Sequence, residues 1–337
     1  MAVLVTGGAG YIGSHMVWAL LEAGEEVVVV DDLRTGFAGA VAPGATLVEG
    51  DFADRSLFES IIDRHQLDAI IHFAASAVVP ESVADPLGYY RNNTAGTRSL
   101  IEAAVLYGVE NFIFSSTAAV YGTPDIVPVP EDAPLRPVSP YGSSKMMAET
   151  ILADTAAAHG LRHVALRYFN VAGADPKGRA GQSTRAATHL IKVACQAVAG
   201  KRDHLAVYGT DYPTPDGTCI RDYIHVSDLV QAHLEALGHL RGGGGDLVLN
   251  CGYGRGYSVL EIVEAVKRVS GRDFPVRIEG RRAGDPVAVV AGVDRIRERL
   301  GWRPRYDDLD TIIGTALNWE AILAERDMTR RAVLSAA

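Results

Sequence analysis

Short apolar runs punctuate the first half of the chain at 3–6, 27–30, 46–48, 69–73, 112–115 and 164–166. Most are separated by stretches long enough for a helix, such as 14–23 and 94–107. A strand buried on both faces is apolar at every position, and parallel neighbours need crossover helices. The alternation therefore predicts an α/β fold, a Rossmann-like doubly wound parallel sheet. After about residue 170 the rhythm changes. Gly173, Pro176, Gly178 and Gly181 make a loop-rich stretch, while Pro213-Thr214-Pro215-Asp216-Gly217 and Gly284-Asp285-Pro286 read as turns. Helices are predicted at 188–199 and 257–269, and a strand at 247–250 behind a loose loop from Gly242 to Gly245. The expected division is a large domain over 1–170, rejoined by segments at about 220–255, and a smaller α/β substrate-binding region over 171–337.

Composition narrows the function classes. The 337 residues carry a net charge of −9 with no run of Lys or Arg, which argues against a nucleic-acid surface. It leaves room for a phosphate-bearing small ligand held by a few local arginines. Cys195, Cys219 and Cys251 are far apart and form no Cys-x-x-Cys pair, so neither a disulfide framework nor a metal site is expected. A reducing, cytoplasmic setting fits. The opening Ala2-Val3-Leu4-Val5-Thr6 runs straight into glycines and reads as a buried strand rather than a signal peptide. No segment approaches the ~20 apolar residues of a membrane span.

The glycines after the first run carry the first chemistry. Gly7, Gly10 and Gly13 fall in a Gly-x-x-Gly-x-x-Gly spacing between a strand and a helix. Glycine allows a tight turn and a close approach to a pyrophosphate, which then sits at the helix's positive end. The second run ends in Asp31, at the distance where an acid accepts hydrogen bonds from the adenosine ribose. An acid there repels a 2′-phosphate, so NAD is expected rather than NADP. Asp51 follows the third run, within reach of an adenine edge, although alone it is a turn residue. Phe73-Ala74-Ala75 follows the fourth, where small residues would let the chain pass beneath a dinucleotide.

Ser139-Pro140-Tyr141-Gly142-Ser143-Ser144-Lys145 carries the second. Ser139 suits an N-cap and Pro140 the first helical position. Tyr141 and Lys145, four apart, project from one helix face. A phenol of pKa ~10 is a poor base at neutral pH. A nearby ammonium, helped by a nicotinamide cation, favours the phenolate and is expected to bring it within reach of pH 7. Thr117 follows the fifth run at the edge of the sheet that faces the ligand crevice, where its hydroxyl can share a proton with Tyr141 across a substrate oxygen.

With the glycine turn, Asp31, Thr117, Tyr141 and Lys145 in this order, the chain resembles the extended short-chain dehydrogenase/reductase superfamily and, within it, the UDP-glucose 4-epimerase (UDP-galactose 4-epimerase) family. The likeness runs from Thr6 to about Trp319. It also rests on Pro80-Glu81-Ser82, Leu166-Arg167-Tyr168-Phe169-Asn170, Arg221-Asp222-Tyr223-Ile224-His225-Val226 and Arg281-Arg282-Ala283-Gly284-Asp285. The resemblance implies that Tyr141 is the base on O4, that Lys145 holds the nicotinamide ribose and that Thr117 hydrogen-bonds the sugar. It implies tightly held NAD, lined by Gly7, Gly10, Tyr11, Ile12, Gly13, Asp31, Asp51, Phe52, Phe73, Ala74, Ala75, Asn92, Ser115 and Tyr168 as well as the catalytic pair. It places Asn170, His189, Leu190, Ala206, Tyr208, Arg221, Arg282, Asp285 and Val289 around a UDP-sugar, and it implies a homodimer. Guanidinium groups pair well with a diphosphate, which suits Arg221 and Arg282. Asp222 and His225 are expected to be structural, since the mechanism already has its base.

Three positions depart from the family pattern. Ala77 stands where relatives can carry a Lys, His189 where others have Asn, and Val289 where a bulky Tyr is associated with restriction to UDP-glucose and UDP-galactose. Val289 is therefore expected to leave room for UDP-N-acetylglucosamine and its C4 epimer. A nucleotide-sugar 4,6-dehydratase usually places an acid just after the Thr, where this chain has Ala118 and Ala119. A UDP-pentose or UDP-glucuronate 4-epimerase stays open at this point. A non-catalytic dinucleotide-binding protein commonly loses the Tyr or the Lys, and both are present.

Overall fold

The computed structural model describes residues 1–184, 187–282 and 284–336, with side chains through 328. Ala283, in the middle of the 281–285 stretch, lies outside the described residues, as do 185, 186 and 337 of the 171–337 region. In the first half, β1 (Ala2–Thr6), α1 (Tyr11–Glu22), β2 (Glu26–Asp31), β3 (Thr46–Glu49), α2 (Arg55–Ile62) and β4 (Leu67–His72) follow in order. Two short helices come next, α3 (Val79–Ala84) and α4 (Pro86–Tyr89), then a π-helical turn (Tyr90–Gly96), α5 (Thr97–Leu106), β5 (Asn111–Thr117), α6 (Pro140–His159) and β6 (Arg162–Tyr168). The second half comprises β7 (Asn170–Ala172), α7 (Leu190–Val198), β8 (Leu205–Tyr208), β9 (Ile220–His225), α8 (Val226–Arg241) and β10 (Leu247–Cys251). It ends with β11 (Gly256–Ser258), α9 (Val259–Ser270), β12 (Val276–Glu279), β13 (Ala288–Val289), α10 (Asp294–Leu300) and α11 (Leu309–Ala336).

Seven strands make one parallel sheet in the order β10-β6-β5-β4-β1-β2-β3. Alternate residues of each strand feed two different cores. Val3, Val5, Val27, Val29 and Ile71 pack towards α1 and α8, while Leu4, Val28, Val30, Ile70, Phe112 and Phe114 pack towards α2, α5 and α6. Both faces are thus covered, which is why these strands are apolar at every position. The strand order reverses between β1 and β4, so the ligand crevice lies at the carboxyl ends of those two strands.

The second half adds a smaller sheet in which β9 pairs with β7, β11 and β13, and a two-stranded β8–β12 ladder. A third core of Ile191, Cys195, Val207, Ile262, Val266, Ile312 and Ile313 unites α7, α9 and α11. Asp222, on β9, receives the backbone N–H of Tyr253, Gly254 and Ala291 at 2.9–3.2 Å. His225 caps α8 by accepting from Ser227 N, and its other nitrogen meets Thr315 Oγ1 at 3.1 Å. Both residues hold the backbone together.

Three predicted helices begin elsewhere than the periodicity implies. The 94–107 pattern starts within the π-helical turn, where Gly96 packs closely against the Phe52 ring. Tyr257 is in β11, and its helix opens at Val259 because Ser258 and Glu261 form a reciprocal capping box. Thr188 and His189 precede α7, since His189 keeps an extended backbone as its N-cap.

Candidate active site

The glycine turn is shaped by its neighbours. Gly7 has φ of +73°, and a Cβ there would lie 2.7 Å from Ala74 N, so the turn after β1 and the Phe73-Ala74-Ala75 segment after β4 touch backbone to backbone. A Cβ on Gly13 would strike the Gly7 carbonyl at 2.1 Å; one on Gly10 would meet it at 3.2 Å, a milder conflict. Gly10 is the N-cap of α1, yet no side chain caps this helix and its first turn holds no acid. Its leading N–H groups therefore keep their capacity for an anion. That cradle, with an acid at the end of β2, fits the pyrophosphate and ribose of NAD.

Asp31 is buried and accepts from Ala9 N and Leu33 N, both at 2.9 Å. Burial pushes its carboxyl up and the two N–H groups pull it back. Each oxygen still has a lone pair for a ribose hydroxyl. Asp51 is an exposed turn residue accepting from Ala53 N, and Phe52 places its ring 4.9 Å from that of His72. Asn92 donates to Ser76 Oγ at 3.1 Å, and Ile12 packs on the core beneath the turn. Tyr11 opens α1, and its hydroxyl donates to the Gly173 carbonyl at 2.6 Å, joining the cofactor turn to the loop after β7.

Ser139 accepts from Gly142 N and Pro140 takes the first position of α6, so Tyr141 stands in the first helical turn, held against the sheet. Lys145, one turn on, is buried and donates to the Ser115 carbonyl at 2.8 Å with its ammonium 4.7 Å over the Phe114 ring. Ser115 Oγ is hydrogen-bonded to the Tyr168 hydroxyl. Thr117, last in β5, accepts from Ala119 N at 3.1 Å and is close enough to Tyr141 for its hydroxyl to pull the phenol down. Tyr141, Lys145, Thr117, Ser115 and Tyr168 are thus brought together.

Burial pushes the Tyr141 phenol up, and the opposing pull comes from Thr117 rather than Lys145. Lys145 is itself pushed down to about 7 by burial, against the upward pull of Glu149. A lysine so weakly charged near neutrality does little to ionise its neighbour. The protein alone leaves the phenol protonated, and a positive charge beside it is what would favour the phenolate.

The remaining residues line the facing side. Asn170, on β7, donates to the Asp222 carbonyl at 3.1 Å. With Gln182, His189, Leu190, Lys192, Tyr223 and Trp319 it lines a cleft. His189 reaches solvent inside that cleft while protein surrounds it on most sides, which lowers its pKa, and Gln182 meets its Nδ1 at 2.8 Å. Asp285 lies between two guanidinium groups, 3.0 Å from Arg282 Nε and 3.9 Å from Arg221 Nη2. Arg282 also covers the Tyr208 ring at 4.5 Å. Ala206 and Tyr208 pair through β8 with Arg277 and Glu279. Val289 is buried and in register with Arg221 across the β13–β9 pair.

Sequence reasoning passed over three features. Tyr89 sets its ring edge-on to Tyr141 at 6.5 Å. Asn93 donates to the Ser76 carbonyl and to Ser144 Oγ, tying the crevice to α6. Glu149, four residues beyond Lys145, pairs with Arg167 inside the protein. The i, i+4 spacing from Lys145 was the available signal for the last.

A model of the NAD-dependent epimerase/dehydratase family matches residues 3–252. The chain is similar to the UDP-glucose 4-epimerase of Azospirillum brasilense, 59% identical over 323 residues that cover 96% of this chain and 93% of that one. Among solved structures it resembles UDP-glucose 4-epimerase from Brucella ovis in complex with NAD, with a TM-score of 0.91, 51% identity and coverage of 94% and 97%. It also resembles the UDP-Glc/GlcNAc 4-epimerase of Campylobacter jejuni, with a TM-score of 0.83, 47% identity and coverage of 95% and 99%.

Proposed function

The chain belongs to the NAD-dependent epimerase/dehydratase family and, within the extended short-chain dehydrogenases/reductases, to the UDP-glucose 4-epimerases, and from that membership we infer that it interconverts UDP-glucose and UDP-galactose. The observation that carries the chemistry is Lys145, one turn beyond Tyr141 on α6, buried and bonded to the Ser115 carbonyl two residues before Thr117 ends β5. The turn of Gly7, Gly10 and Gly13, with Asp31 and Lys145, would hold NAD, which would supply reversible hydride transfer at C4. Tyr141 takes the O4 proton and gives it back, Thr117 orients O4, and Tyr168 and Ser115 close the floor against water. Arg221 and Arg282 bind the diphosphate, with Asp285 bridging them, while Asn170, His189 and Leu190 line the sugar side. The sugar turns about its phosphate linkage between the two hydride steps.

Val289, in register with Arg221, is smaller than the Tyr associated with the restricted family pattern, which supports acceptance of N-acetylated sugars as well. In this reading the large domain comprises 1–170 with the segments at about 220–255, of which α8 packs on its sheet, β10 joins it and β9 joins the smaller one, and the UDP-sugar region is mainly 171–337. Val83 and Leu87 on α3 and α4 are 64% and 79% exposed, and Met147 is exposed on the adjoining α6. This apolar face is where a second copy docks, and a monomer mass in sedimentation equilibrium would remove the homodimer. Among the described residues no helix is long and apolar enough to cross a membrane. A cytoplasmic role in galactose metabolism predicts that deleting the gene blocks growth on galactose, and unimpaired growth would refute it.

The primary test supplies UDP-galactose to the purified protein without added cofactor and follows the anomeric protons by NMR. Appearance of UDP-glucose is expected. An unchanged spectrum, even after NAD is added, sinks the assignment and brings the pentose and uronate epimerases forward.

A further inference from the structure

One buried cluster lies behind the groups that face the substrate. Glu149 stands one helical turn beyond Lys145 and two beyond Tyr141 on α6, with its side chain buried. Its carboxylate accepts from Ser116 Oγ, from Arg167 Nε at 3.0 and 3.2 Å, and from Arg167 Nη2 at 2.6 Å. Arg167, equally buried, extends its Nη1 to the Tyr121 hydroxyl and the Glu131 carbonyl, both at 3.0 Å. Tyr121 donates in turn to Asn250 Oδ1 at 2.7 Å. One carboxylate therefore connects α6 to β5, to β6 and, through Tyr121, to β10.

Ser116 is the middle residue of a functional triplet. Ser115 offers its carbonyl to Lys145, and Thr117 ends the strand with its hydroxyl near enough to Tyr141 to lower the phenol. Strand side chains alternate, so Ser115 and Thr117 turn to the site while Ser116 turns behind it to Glu149. Moving Ser116 moves both neighbours. The charged and titratable groups around Lys145 are Tyr141 and Glu149 on α6, His72 on β4, and Tyr168 and Arg167 on β6. Burial keeps His72 neutral. Among these described residues Glu149 supplies the negative charge that supports the lysine ammonium.

We propose that Glu149 is a positioning residue of the reaction, clamping Ser116 and Arg167 so that the Ser115 carbonyl and the Thr117 hydroxyl stay in place against the Lys145–Tyr141 turn. This rests on the epimerase reading above. Removing Glu149 alone would leave Arg167 buried without its anion, so the informative variant is E149Q/R167M, in which both charges go together. S116A accompanies it and leaves the ion pair intact. Wild type and both variants are compared for UDP-galactose turnover across pH, for thermal unfolding and for UDP affinity.

Both variants are expected to fold and to bind UDP as wild type does. KM should stay within about threefold and kcat fall at least about tenfold. In E149Q/R167M the alkaline limb of kcat should also move to lower pH, because the ammonium has lost its anion. A folded E149Q/R167M with the wild-type kcat and pH profile overturns the proposal. If that variant fails to fold, S116A decides: a wild-type kcat overturns it and the tenfold loss supports it. A wild type that leaves UDP-galactose unchanged would instead fell the epimerase reading, and this proposal with it.

Discussion

At the scale of single residues, the site was readable where backbone geometry or local spacing dictates chemistry. Gly7 and Gly13 had to be glycines because one takes φ of +73° and the other meets a carbonyl at 2.1 Å. Tyr141 and Lys145 share a helix face through their spacing alone. Their ionisation was not readable, because it follows from burial: the phenol is pushed up and the lysine down to about 7. Val289 is the residue where specificity can be tested. Val289→Tyr adds an aromatic ring to β13 in register with Arg221 and should abolish conversion of UDP-N-acetylgalactosamine while leaving UDP-galactose turnover within about threefold, since a steric block discriminates by size alone. Equal loss of both activities, followed by NMR, would show that Val289 does not set the sugar range.

At the scale of elements, the strands of the large sheet followed directly from their apolar runs, because burial on both faces leaves no polar position. The helix starts at Leu190 and Val259 did not, since capping chemistry and an extended N-cap set them. Nor did the docking of α11 on α7. Lys192 and Glu320 form a buried ion pair between these helices, with Lys201 on the second carboxylate oxygen at 2.8 Å. Glu320→Gln strips the anion from a buried ammonium, which typically costs about 3–5 kcal/mol. Denaturant unfolding should show that loss, and UDP binding should weaken with it because α7 begins in the substrate cleft. A change below about 1 kcal/mol would mean the pair is dispensable.

At the scale of the whole molecule, buried histidines make the fold sensitive to acid. Burial lowers His15 and His233 to about 4 and His225 to about 3, from 6.5. A depressed histidine contributes stability that is present above 6.5 and is lost as pH falls towards the folded value. Asp222, raised to about 6, works in the opposite direction with the raised Asp31 and Asp228, but burial lowers His72 and His163 as well, so the histidines outnumber them. The thermal midpoint should therefore fall between pH 6.5 and 4, and His233→Leu should flatten that fall. A midpoint level across the window would contradict this balance. The sequence by itself determined the parallel sheet, the dinucleotide turn, the acid at Asp31 and the Tyr141–Lys145 pair, because each depends on local backbone geometry or on a short periodicity. Only the tertiary structure decided that Tyr11 reaches Gly173, that Lys192 meets Glu320 and that Glu149 holds Arg167 and Ser116 behind the site. Those contacts join distant parts of the chain in a water-poor interior, where the strength of a charge or a hydrogen bond is set by what is packed around it.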